Sequence, residues 1–139
     1  MAGTWDPSLE TGNELIDRQH RELIGLVDQL AVADSESHEE VLGVLNHVME
    51  YTLFHFVAEE DLMVRVDYPP GPSKAMIDQH QEFKSYGRLR LLEFRDGALT
   101  SVLPLRDFLD QWLKVHEFGL DRQLAVWIRR EDKTSGSRA

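Results

Sequence analysis

Ile16, His20, Leu23, Val27 and Leu30 follow one another at alternating steps of four and three residues. That is the spacing of a helix with one buried seam. DSESHEE (34–40) interrupts it, with serines and an aspartate suited to ending one helix and capping the next. Leu45, Val48, Thr52, His55, Glu59 and Leu62 then resume the three–four steps and predict a long second helix. YPPGPS (68–73) carries three prolines, which remove backbone donors and bias the preceding residues toward extended geometry, so a non-helical link is expected. A third helix is predicted from near Ser73, with Met76, His80, Phe83, Gly87 and Phe94 along its seam, ending at RDGALTS (95–101). Pro104 fits the first turn of a fourth helix, whose seam is Leu105, Leu109, Trp112 and His116, then Leu120 or Gly119. The expected fold is all-α, an up-down-up-down four-helix bundle. Residues 1–13, with Trp5 and Pro7, are expected to form an N-terminal arm over the bundle, and the polar tail 129–139 to be frayed. The chain, 1–139, is read as a single domain.

The seams are not purely apolar. His20, His55, His80 and His116 each occupy a core position on a different predicted helix, and Glu59 shares the seam of His55 one turn later. A lone histidine on such a face is usually a satisfied core residue; four on converging helices, with a carboxylate among them, call for a neutralising partner. His55 and Glu59 are separated by about 40° around a helix and can meet one ion or a close pair of ions. Imidazole with carboxylate favours iron, manganese or zinc over calcium or magnesium. His38, in the capping segment, and His47, off its seam, are expected at the surface.

Composition narrows the choice. With no cysteine, thiolate metal sites, redox pairs and disulfides are excluded, which fits a reducing compartment. Twenty-five acidic against fifteen basic residues give a formal net charge of −10, the wrong sign for nucleic acid or an anionic membrane surface. The start, MAGTWDPSLETG, lacks the pattern of a secretory signal, and no later apolar run approaches the roughly 20 residues of a membrane span. A soluble, cytoplasmic protein is expected. Glu-x-x-His pairs, HExxH and a glycine-rich phosphate loop are all missing, which removes support for ferritin-like, zinc-protease and nucleotide-binding readings.

Taken together, DRQH (17–20), HFVAEE (55–60), MIDQHQEF (76–83) and WLKVHEFGLD (112–121) resemble the hemerythrins, specifically the single-domain bacterial ones. The resemblance covers nearly the whole chain. It implies two non-haem iron ions, bridged by carboxylates and an oxo or hydroxo group, that bind dioxygen reversibly as peroxide. By that resemblance His20 and His55 match the ligands of the iron that receives oxygen, and His80 and His116 match two of three histidines on the other. Glu59 and Asp121 match the bridging carboxylates. Leu23, Phe56 and Leu113 fall where the oxygen pocket is lined, with Trp112 packed nearby. The expected partner is dioxygen or peroxide, and the expected state a monomer.

Two departures from the family pattern stand out. Met76 occupies the position of the third histidine, four residues before His80; a thioether is a poor ligand for non-haem iron, so Met76 is expected to pack rather than ligate. Glu117 stands where the family places an apolar pocket residue. Four residues before Asp121, it shares a helix face with it and is expected to turn inward as an extra ligand or proton donor. An inward carboxylate would favour oxidase, peroxidase or sensor chemistry over simple carriage. A haem bundle with Met76 as axial ligand would leave Glu59 and Asp121 without a role.

Overall fold

The structure, a computed structural model, describes residues 7–34, 37–98 and 101–137, without the side chains of 117–118 and 132–137. Trp5 of the expected arm lies outside the described residues. A short 3-10 turn, Pro7–Leu9, precedes α1 (Glu14–Ala33), α2 (His38–Arg65), α3 (Pro70–Arg95) and α4 (Leu103–His116). A π-helical turn, Glu117–Asp121, continues α4 directly into α5 (Arg122–Ser137). These last three elements form the fourth rod of an all-α bundle. Helix α5 runs on to Ser137, so much of the stretch expected to fray has helical backbone.

Local chemistry starts each helix. Asn13 caps α1, its side chain accepting from the Ile16 amide, and Ser37 caps α2 by accepting from Glu40. The segment before α1 is held by Asp17, whose carboxylate accepts from the Thr11 amide and hydroxyl, both at 2.8 Å, and from the Gly12 amide at 3.2 Å. The link YPPGPS departs from expectation. Helix α3 begins at Pro70, and the Ser73 amide already closes a turn onto the Pro69 carbonyl at 3.0 Å. The first-turn amides of a helix have no intrahelical partner, so Pro70 and Pro72 give up nothing there, and their fixed φ suits the turn.

Successive rods run antiparallel. The early part of α1 meets the late part of α2 at His20 and His55, whose rings are 4.7 Å apart. The start of α2 meets the end of α3, where His38 stacks on Phe94 at 4.6 Å. Early α3 meets late α4 through Gln79 and His116, while Tyr86 and Phe108 pair further along. Gly87 faces Met49 where α2 and α3 pack, and a β-carbon there would collide with the Met49 methyl.

Two apolar clusters fill the interior. The larger includes Leu23, Val27, Leu30, Leu45, Phe56, Phe83, Leu109 and Leu113; the smaller includes Ile16, Met63, Met76, Leu124, Ala125 and Ile128. The smaller gathers residues from the start of α1 and α3 and the end of α2, with α5 beneath them. By length and composition alone α2 is long and apolar enough to cross a membrane, although no unbroken apolar run of that length occurs in it. In the bundle its inward face carries Leu45, Val48, His55 and Glu59 into the core.

Candidate metal centre

Between the two apolar clusters lies a polar layer. His20, His55, Glu59, His80, His116 and Asp121 are all fully buried, and every rod contributes to the layer. Their donor atoms form two groups, His20 with His55, Glu59 and Asp121, and Glu59 with His80 and His116, each lying within 4.8 Å of one another. Glu59 belongs to both. Its Oε1 lies 3.1 Å from His55 Nε2, 3.3 Å from His80 Nε2 and 3.0 Å from His116 Nε2. Asp121 straddles the layer, with Oδ2 2.7 Å from His20 Nε2 and Oδ1 2.8 Å from His116 Nε2.

Asp121 reaches this position because of the π-helical turn. Five α-helical steps of about 100° would leave His116 and Asp121 about 140° apart around the helix. A π turn bonds residue i to i+5, absorbing one extra residue, and brings both side chains to the same face. The predicted continuation of the seam at Leu120 or Gly119 is therefore corrected. Both are half-buried, and the inward stripe resumes at Asp121, Leu124, Ala125 and Ile128.

A further ring of side chains holds the imidazoles. Gln19 Oε1 lies 2.8 Å from His55 Nδ1, Glu60 Oε2 3.2 Å from His80 Nδ1, and Gln79 Oε1 2.6 Å from His116 Nδ1. Each is the sequence neighbour of one layer residue and serves the histidine of the next helix, α1 to α2, α2 to α3, α3 to α4. None was singled out from sequence. The only trace in the sequence is a long polar side chain directly before His20 and His80 and directly after Glu59, which does not say which histidine it serves.

These outer acceptors turn the Nδ1 atoms outward and leave the Nε2 atoms facing inward. There the Nε2 atoms meet carboxylate oxygens, a contact that needs a proton or a metal ion between the facing lone pairs. Among the described residues Glu59 Oε2 and His80 Nε2 are buried without a hydrogen-bond partner, a cost that coordination would remove. Burial by itself pushes His55 and His116 down, but Glu59 and Asp121 outweigh it, raising His55 to about 9 and His116 to about 10. At His20 burial prevails over Asp121 and the pKa is lowered. Burial would raise Glu59, yet His55 and His116 hold it well below the usual carboxylate range; Asp121 is lowered by His116 against burial and the Glu59 charge. Imidazole Nε2 and carboxylate oxygen are the donors of a first-row transition-metal site, so the residues fit such ions.

The model of the hemerythrin HHE cation-binding domain matches residues 11–128. The chain belongs to the hemerythrin family. A bacteriohemerythrin of Stenotrophomonas maltophilia is 33% identical over 126 residues, covering 90% of this chain and 80% of that protein. One from Pseudomonas aeruginosa is 34% identical over 113 residues, covering 81% and 72%. A hemerythrin-like protein of Naegleria gruberi is 27% identical over 117 residues, covering 84% and 86%. The family is thus a metal-binding one, and of the residues anticipated as ligands His20, His55, Glu59, His80, His116 and Asp121 are brought together here, while the Glu117 side chain lies outside the described residues.

The remaining anticipated residues of this hemerythrin-family bundle take distinct places. Leu23, Phe56 and Leu113 are buried in the larger apolar cluster against the polar layer. Phe56 stacks on His80 with centroids 3.9 Å apart, and Trp112, half-buried, stacks on His116 at 4.7 Å. Met76 is wholly buried in the smaller apolar cluster. Glu117 opens the π turn, and its side chain lies outside the described residues. His38 and His47 are exposed.

Proposed function

We propose that this protein is a non-haem di-iron protein that binds dioxygen for storage, delivery or sensing. The observation that carries the reading is the pair of buried donor groups sharing Glu59, directly beneath an apolar cluster. His20 and His55 would hold one ion, His80 and His116 the other, with Glu59 and Asp121 between them. Two ferrous ions there would supply the electrons that dioxygen accepts on binding. Gln19, Glu60 and Gln79 fix the ring orientations, so that each Nε2 faces inward before any ion arrives. Leu23, Phe56 and Leu113 exclude water and its protons from the oxygen side of the layer.

The test is iron content per chain, followed by optical spectra of the anaerobically reduced sample before and after air. Two irons per chain and an absorption band that appears with air and disappears under argon are expected. Oxidation to a ferric state without a lasting adduct would replace this reading with oxidase or peroxidase chemistry.

A further inference from the structure

We infer that the two ion positions are unequal: the one at His20, His55, Glu59 and Asp121 retains its ion, while the one at Glu59, His80 and His116 exchanges it, with the Glu60 carboxylate keeping that second position loaded. The inference rests on the di-iron reading above. Among the described residues the first group brings four donors within 4.8 Å of one another and the second three, because Asp121 reaches the second only beside His116, through Oδ1. One turn before His80 stands Met76, buried among Met63, Ile16 and Leu124. A thioether adds little to a site of imidazole and carboxylate.

The outer acceptors differ in the same sense. His55 and His116 lean on neutral amides, Gln19 and Gln79, whereas His80 leans on a carboxylate. A charged acceptor at Nδ1 makes the opposite nitrogen a stronger donor. The charge therefore stands behind the position that gathers fewer donors among the described residues. Access differs too. Gln19 is buried at 5% exposure, while the Glu60 side chain is 33% exposed and lines an open groove of about 400 Å³ with Met63, Asp67, Tyr68, Ser73 and Ile77. Solvent and competing ligands can approach the second position from that side.

The experiment loads the full chain with cobalt(II), whose visible bands report coordination, and follows its release to excess EDTA by absorbance and metal analysis. Two equivalents leaving in two phases of equal amplitude, with rates about tenfold or more apart, are expected. Glu60→Gln preserves an acceptor for His80 but removes the charge. It should weaken the fast equivalent about tenfold, leave the slow one in place and leave the melting temperature of metal-stripped protein unchanged. A single phase carrying both equivalents overturns the inequality, and needs no variant to be seen. Equal weakening of both equivalents by Glu60→Gln overturns the role of Glu60. Binding of fewer than two equivalents would instead sink the di-iron reading itself.

Discussion

Met76 shares its apolar cluster with Met63, Ile16, Leu124, Ala125 and Ile128, so its place is that of a space-filling side chain beyond the polar layer. Met76→Leu is therefore expected to cost less than about 1.5 kcal/mol, as a volume-conserving core swap, and to leave the number of ions bound per chain unchanged. Met76→Ala should cost about 2–5 kcal/mol through the cavity it leaves. Denaturant unfolding and metal analysis of both variants check this, and an ion lost from the leucine variant would show that the thioether ligates. At this scale the sequence was highly legible where chemistry and spacing coincided. His20, His55, Glu59, His80 and His116 stand on seams that must be buried, and buried titratable groups are conspicuous. Gln19, Glu60 and Gln79 were not legible, because each sits one residue off a seam and acts on a histidine of another helix. Spacing along one helix carries no record of which side chain of the next helix it will touch.

The fourth rod shows the same limit in an element. Its stripe is sound through His116, then shifts by one residue, since the π turn at Glu117–Asp121 takes up one residue more than an α-helix would. Nothing in a three–four count announces such a shift, which is why Leu120 and Gly119 looked like the next seam positions, and Asp121 was reached only by resemblance. The prolines of YPPGPS misled for a related reason: their effect depends on whether they fall inside a helix or in its first turn, and the spacing does not say which. The register argument predicts opposite outcomes for two changes of length. Deleting Gly119 should restore a continuous α-helix with the aspartate four residues after His116, about 40° away around the axis, and preserve metal binding. Inserting an alanine after Gly119 should turn the aspartate and all of α5 by about 100°. That variant should lose bound metal and melt earlier, because Leu124, Ala125 and Ile128 leave the core with it. Metal analysis and thermal unfolding decide; an insertion variant that keeps both ions would show that the π turn does not set the register.

Across the whole molecule, a charged layer is clamped between two apolar clusters, and its protonation or metal content feeds directly into the stability of the fold. In protein stripped of metal, His55 titrates at about 9 and His116 at about 10, both above the ordinary 6.5. Protons bound more tightly in the folded state stabilise it. That contribution is fully present below pH 6.5 and is lost as pH rises through 9 and 10. On the acid side the signs reverse. Glu59 and Asp121, lowered from 4.5 and 3.8, withdraw their contribution as pH falls through their folded values, and the lowered His20 opposes folding increasingly below 6.5. Stripped protein should therefore melt at progressively lower temperature from about pH 6.5 to about pH 10. Bound metal takes over the charge those protons carry, so the loaded protein should hold a nearly constant melting temperature across the same range. Loading near neutral pH should also expel protons from His55 and His116, read as a dependence of the calorimetric binding heat on the ionisation heat of the buffer. A stripped protein whose melting temperature stays flat or rises toward pH 10 would mean that the layer is neutralised in some way other than by protons on these two histidines.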